Sequence, residues 1–112
     1  MSEENTREEN ITEQTEEIMT VENIQNRVYF IRGQQVMLDT DLAIIYGYEV
    51  KKLNQQVKRN IERFPEDFMF QLNESELIYL RSQNVTANIS SKSRTLPYAF
   101  TEQGIYMLAT VL

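Results

Sequence analysis

The residues best suited to chemistry are basic and amide side chains gathered between positions 49 and 63. They are Lys51, Lys52, Asn54, Gln55, Lys58, Arg59, Asn60 and Arg63. Asparagine and glutamine pair bidentately with adenine, whereas arginine and lysine pair with guanine or neutralise phosphate. A helix surface that only meets water more often mixes glutamate with lysine four residues apart. The composition therefore favours a nucleic-acid interface over the alternative, a plain solvated helix surface.

One amphipathic helix is predicted to carry these side chains. Apolar residues recur at intervals of 3, 4, 4 and 3 through the same stretch, which is the period of a helix with one buried stripe. They are Val50, Leu53, Val57, Ile61 and Phe64. Pro65 should end the helix, because the residue before a proline avoids the helical region. We therefore predict a recognition helix over residues 49–63.

A second, shorter helix is predicted just before it, from Asp39 to Tyr46. A helix-turn-helix needs a small residue where the helices cross, a glycine in the turn and an apolar residue facing back. Ala43, Gly47 and Leu53 meet these needs at spacings of 4 and 6. The second helix would then enter the major groove of DNA, which admits one helix. Many helix pairs share this spacing, so an ordinary helix pair remains the alternative.

The position of each polar residue along the predicted helix suggests its role. The early residues should reach base edges: Lys51, Lys52, Asn54 and Gln55. The later cations should hold phosphates: Lys58, Arg59 and Arg63. Lys92 and Arg94 lie among small hydroxyl residues in the polar segment 84–95, which resembles a wing that contacts phosphate or the minor groove. An ordinary flexible loop is the alternative for that segment.

The elements that must position this helix are short. Residues 28–38 predict two strands around Arg32-Gly33-Gln34, since glycine supplies the turn of a hairpin. Residues 66–72 and 96–100 predict two further strands. One helix is predicted with Asn73 or Ser75 as its cap, and another with Thr101 as its cap. The fold class is therefore α+β, with a helix-turn-helix-like (winged) core, a β-hairpin and short strands. The last predicted helix is still apolar at Leu112, so we expect that the chain was cut from a longer protein.

Charge divides the chain into two parts. Residues 1–22 hold eight acids and one base, a net charge of −7, whereas residues 23–112 hold nine acids and ten bases, a net charge of +1. Residues 1–21 have few large apolar side chains and are predicted to be a disordered acidic tail, followed by one domain over residues 22–112. The alternative for the tail is an acidic arm that competes with nucleic acid for the basic helix.

Composition also excludes several function classes. The chain has no cysteine and no histidine, which removes disulfides, thiolate metal sites and the commonest general base. The stretch 64–68 could belong to a metal-dependent nuclease. Such a site needs a second acid and a lysine on the following strand, and no lysine lies near Glu74 and Glu76. We therefore expect no enzymatic activity and no cofactor or metal. Because no signal peptide and no membrane-spanning run is present, we expect a cytoplasmic protein.

Two long blocks carry a family resemblance. "VMLDTDLAIIYGYEVKKLNQQVKRNIERFPEDFMFQL" and "LPYAFTEQGIYML" resemble the phage ORF-six N-terminal DNA-binding domain family, a relative of the KilA-N and Bro-N domains. The resemblance covers about residues 22–112. It implies a domain of bacteriophages, prophages and bacterial genomes that is regarded as DNA-binding and is often joined to a different C-terminal domain. Antirepressor-like regulation is a common association of such domains.

The sequence thus leads to one principal function and one alternative. The principal expectation is sequence-specific binding to double-stranded DNA, within a phage- or prophage-type transcription regulator. The alternative is the protein-interaction module of an antirepressor, which would bind a repressor or another regulatory protein through the same helix.

Overall fold

The computed structural model of the protein describes residues 24–83 and 95–112. The predicted acidic tail and, apart from Thr95, the predicted wing lie outside these ranges. The described elements are, in chain order, β1 (Val28–Ile31), β2 (Gln34–Leu38), α1 (Asp39–Tyr46), α2 (Val50–Arg59), a 3-10 turn (Ile61–Arg63), β3 (Met69–Gln71), α3 (Glu74–Ser82), β4 (Tyr98–Phe100) and α4 (Glu102–Val111). This arrangement confirms the predicted α+β class.

The hairpin of β1 and β2 forms where the sequence predicted it. The two strands pair in antiparallel register from Val28 opposite Met37 to Ile31 opposite Gln34. The chain reverses through Arg32 and Gly33, whose φ angles are 54° and 74°. Positive φ at both central residues is the requirement of the two-residue turn whose twist matches that of the strands.

The hairpin extends into a four-stranded antiparallel sheet with the order β1-β2-β4-β3. In the centre, Met37 lies opposite Phe100 and Leu38 opposite Ala99, while Met69 lies opposite Phe100 on the other side of β4. Because successive side chains of a strand point to opposite faces, neighbouring residues of one strand belong to two different hydrophobic cores.

One core lies under α1, α2 and α4, and the other lies under α3. The first contains Met37, Leu42, Ala43, Leu53, Val57, Phe64, Met69, Phe100 and Leu108. The second contains Ile31, Val36, Leu38, Phe70, Leu72, Leu80 and Ala99. The sheet is therefore a middle layer, and α2 and α3 pack on its opposite faces.

Side-chain caps fix the starts of α3 and α4. The Asn73 side chain accepts a hydrogen bond from the Glu76 backbone amide at 2.8 Å, and the Glu76 carboxylate accepts one from the Asn73 amide at 2.9 Å. This is a capping box. The Thr101 hydroxyl accepts from the Gly104 amide at 3.4 Å and donates to the Asp67 carbonyl at 2.7 Å. The structure selects Asn73 over Ser75 as the cap of α3 and confirms Thr101 as the cap of α4.

The structure corrects three details of the predicted pattern. The second helix ends at Arg59 rather than continuing to residue 63, and Ile61, which the period assigned to the buried stripe, is 52% exposed. Tyr79, which the sequence pattern places on the apolar side of its helix with Leu77 and Leu80, is 55% exposed. Within residues 24–83 and 95–112, the helices fall short of the length and hydrophobicity of a membrane span.

Candidate nucleic-acid interface

The turn between α1 and α2 is built as the spacing predicted. Gly47 has a φ of 70°, and its amide donates to the Ile44 carbonyl at 3.2 Å. The next amide, that of Tyr48, donates to the Ala43 carbonyl at 2.8 Å. This pair of bonds is a Schellman motif, which satisfies the last carbonyls of α1. It frees the chain to begin α2 three residues later.

The inner side of α2 packs into the first core. Leu53 is fully buried and Val57 is 3% exposed, and both share that core with Ala43 of α1. The small side chain of Ala43 leaves room for the second helix, as the sequence predicted. This arrangement is compatible with a helix-turn-helix.

The outer side of α2 carries a continuous basic surface. At about 100° per residue, the exposed residues of α2 occupy an arc of roughly 120° opposite Leu53 and Val57, with Gln55 at its centre. We call these residues the α2 basic face, and they are Lys51, Lys52, Gln55, Lys58 and Arg59.

The cations of the α2 basic face have no acidic partner among residues 24–83 and 95–112. The ion pairs within these ranges join Arg27 to Asp41 and Arg32 to Glu76. The polar contact of Arg59 is a long one, 3.5 Å from its guanidinium to the Gln56 side chain. Their positive charges therefore remain available to a partner.

Asn54 does not point outward as the sequence analysis expected. Its side chain is half-buried, and its Nδ2 donates to the Asp39 carboxylate at 2.9 Å. Its Oδ1 is buried without a hydrogen-bond partner in the described structure. The expectation that Asn54 lies on the outer surface is therefore wrong, because a buried carboxylate on α1 takes up its amide.

The Asp39 carboxylate, which accepts the hydrogen bond from Asn54, is almost fully buried. It is 3% exposed, and this burial raises the pKa of Asp39 above its ordinary value. Hydrogen bonds from the Asn54 side chain and from the Tyr98 and Thr40 backbone oppose the rise. The contact joins the first residue of α1 to the middle of α2, and it restrains the packing of the two helices against each other.

The remaining predicted site residues lie outside α2. Arg63 is exposed on the 3-10 turn that follows the helix. The chain leaves the helical path at Asn60, whose φ and ψ are −125° and 32°, so Arg63 does not continue the basic face in helical register. Lys92 and Arg94 fall outside the described residues, and their assignment to a wing stays a prediction.

Sequence reasoning missed the acids that organise this region. Asp41 is 1% exposed and accepts hydrogen bonds from the Arg27 guanidinium at 2.8 Å and the Tyr29 hydroxyl at 3.1 Å. The helical pattern indicates only that Asp41 and Asp39 lie in the first turn of a helix, where acidic side chains are favourable. Their position inside an apolar run, residues 36–46, was the available signal, because a carboxylate buried in such a run needs internal partners.

Comparison with known proteins identifies the family of the chain. The family model described as the ORF6N domain matches residues 26–111, which covers all four strands and all four α-helices described above. Comparison with curated proteins found no match, and comparison with solved structures found none either.

Proposed function

Because the chain belongs to the ORF6N domain family, we propose that it is the DNA-binding domain of a phage-type regulator and that α2 enters the major groove of double-stranded DNA. The observation that carries the proposal is the α2 basic face: four cations around Gln55, exposed and without acidic partners within the described ranges. Gln55, at the centre of the arc, is assigned to base edges. Lys58 and Arg59 are assigned to phosphates.

The dimensions of α2 suit this role. Its ten residues span about 15 Å at 1.5 Å per residue, and a major groove about 12 Å wide admits one such helix. A three-residue turn with glycine connects α2 to α1, which is the usual connection of a helix-turn-helix. Arg63, Lys92 and Arg94 are proposed as outlying phosphate contacts.

The placement of two lysines at the start of α2 also supports binding to an anion. Lys51 and Lys52 occupy the first turn, which contains no acidic residue, and Glu49 makes no side-chain cap. The start of a helix carries the positive end of its dipole, so cations there are unfavourable for the free domain. A phosphate at this end would offset that cost.

A salt titration of binding to duplex DNA tests the proposal. Each lost phosphate contact should flatten the slope of log K against log salt by about one unit. We expect this change in both Lys58→Ala and Arg59→Ala.

Arg81→Ala is the matched control for this titration. Arg81 is an exposed cation on α3, and α3 packs on the opposite face of the sheet from α2. Its removal changes the net charge equally and should leave the slope unchanged. Unchanged slopes in both α2 variants, or an equal change in Arg81→Ala, would refute the assigned interface.

A protein-interaction module is the second candidate, and a separate surface favours it. Phe30 and Tyr79 are 66% and 55% exposed and line one shallow groove of about 290 Å³ beside Arg32 and Glu76. Exposed aromatic residues around a groove are typical of protein-binding surfaces. A gel shift with random-sequence duplex at low salt, run on the chain with and without residues 1–22, discriminates the two functions. No shift by either form, together with co-purification of a partner protein, would favour the interaction module.

A further inference from the structure

We propose that the acidic segment of residues 1–22 occupies the α2 basic face in the DNA-free chain and competes with DNA for it. The inference rests on the proposed function, since it takes the α2 basic face as the DNA surface. The occupant is a part of the same chain, and the outcome is an intramolecular restraint on DNA binding.

Charge complementarity is the first argument. Residues 1–22 carry a net charge of −7, while the rest of the chain carries +1. The cations of the α2 basic face are exposed and lack acidic partners within residues 24–83 and 95–112. The segment therefore offers to this face the same kind of charge that the phosphates of a duplex would offer.

The attachment point of the segment is the second argument. Ile24, the first described residue, packs against the core that holds Leu53 and Val57 of α2. Three residues later, the Arg27 guanidinium lies 2.8 Å from the Asp41 carboxylate on α1. The acidic segment therefore joins the domain beside the core shared by α1 and α2, and not on the α3 side of the sheet.

The acidic segment is long enough to reach the α2 basic face, and it is covalently attached to the same domain. Twenty-two residues can span up to about 70 Å when extended, whereas α2 is about 15 Å long. A tethered ligand meets its site at an effective concentration in the millimolar range, so a weak ionic contact suffices to compete. Because the Debye length is about 8 Å at physiological ionic strength, the competition should weaken as salt rises.

The test compares two full-length variants with the same net charge. The first removes three acids of the segment: Glu8→Gln, Glu9→Gln and Glu16→Gln. The second removes three exposed acids of the domain that lie outside α2: Glu66→Gln, Asp67→Asn and Glu74→Gln. We expect the first variant to bind a random-sequence duplex at least about fivefold more tightly than the unmodified chain. The second should gain much less. Equal gains would attribute the effect to net charge and overturn the inference.

A second readout needs no DNA. The backbone amide resonances of α2 and the side-chain N–H of Arg59 should shift between the unmodified chain and the segment variant at low salt. High salt should abolish the difference, and a roughly tenfold dilution should leave it unchanged, because the contact lies within one chain. A difference lost on dilution would place the contact between two copies and overturn the intramolecular inference. Identical α2 resonances at low salt would overturn it altogether.

The two readouts separate this inference from the proposed function. If α2 resonances shift as expected and no variant binds any duplex, the intramolecular contact stands and the DNA function fails. If duplex binding follows the slopes expected for Lys58→Ala and Arg59→Ala while the α2 resonances do not respond to the segment, the DNA function stands and this inference fails.

Discussion

The arginines beside β1 have carboxylate partners, whereas the cations of the α2 basic face have none among the described residues. Arg27 and Arg32, at the two ends of β1, each lie 2.8 Å from a carboxylate, and Arg32 also lies over the Phe70 ring at 4.1 Å. The four cations of the α2 basic face have no such partner among the described residues. The hairpin arginines join elements that are distant in sequence, whereas the α2 cations join nothing within the described domain. Their presence is better explained by an anionic partner outside the described residues than by the stability of the fold.

Asp41→Ala should break the paired side of this comparison with the largest effect. Asp41 is almost fully buried and receives both Arg27 and the Tyr29 hydroxyl. Burial, reinforced by the Asp41 carboxylate, raises the pKa of Tyr29, which keeps its hydroxyl a donor. Removing Asp41 leaves the partly buried Arg27 guanidinium without its counter-charge and the Tyr29 hydroxyl without its acceptor, and costs about 3 kcal/mol. Urea unfolding should show this loss.

Glu49→Ala is the control for that experiment. Glu49 is exposed at the start of α2 and makes no side-chain cap, so its removal should cost no more than the roughly 0.3–1 kcal/mol that a negative charge at a helix start contributes. A loss in Asp41→Ala as small as that in Glu49→Ala would show that the buried pair does little for the fold, and the contrast between the two regions would disappear.

The unpaired side of the comparison is sharpened by the double variant Lys51→Glu and Lys52→Glu. Both positions lie in the first turn of α2, where negative charge is favourable by about 0.3–1 kcal/mol per residue. We expect the variant to unfold at higher urea than the unmodified chain while losing affinity for duplex DNA. A gain in stability with a loss of binding would show that the lysines are retained for a partner.

Lys58→Glu provides the matched control, because Lys58 lies in the last turn of the same helix. There a negative charge meets the negative end of the dipole, so this variant should lose stability and should also lose DNA affinity. If all three substitutions changed stability in the same direction, the helix dipole would not be the cause. If none of them changed DNA affinity, the α2 basic face would not be the interface.

Local patterns predicted the framework of this site well. The glycine turn, the hairpin and the buried positions Ala43, Leu53 and Val57 follow from periods and turn chemistry that act within a few residues. The predictions that failed concern contacts between residues that are distant in sequence. Asn54 lies only about 40° around the helix from Val50, at the margin of the buried stripe, and its partner Asp39 is 15 residues away. The helical pattern does not predict the contact between Asn54 and Asp39.

The end of α2 failed for a different reason. The 3-4-4-3 spacing from Val50 to Phe64 assumes one unbroken helix, and it places Ile61 on the buried side. The chain departs from helical geometry at Asn60, whose side chain donates to the Gln56 carbonyl at 2.8 Å. Phe64 still reaches the core after the 3-10 turn, and it packs edge-on against Phe100 with ring centres 6.0 Å apart. The apolar spacing therefore survived while the helix did not.

The smallest expected effect concerns the other hairpin arginine and depends on pH. The Arg32 guanidinium beside Glu76 holds the pKa of that carboxyl below its ordinary value of 4.5, with a further contribution from the Asn73 amide. A carboxyl whose pKa is lower in the folded state stabilises the fold above its unfolded pKa, and this contribution is lost as pH falls through the folded pKa. Because Arg32 is 43% exposed, the pair should contribute at most about 1 kcal/mol.

Arg32→Ala isolates this contribution from that of the other acids. Burial raises the pKa of Asp39, so protonation of Asp39 stabilises the fold as pH falls, opposite in sign to Glu76. The difference in free energy of unfolding between the unmodified chain and Arg32→Ala cancels the Asp39 contribution, since Asp39 is present in both. We expect that difference to be constant above about pH 5 and to shrink below pH 4.5. A difference independent of pH would mean that Arg32 acts through contacts that do not titrate, with the Phe70 ring and the Gln71 backbone carbonyl. Its charge pair with Glu76 would then contribute nothing measurable to the fold.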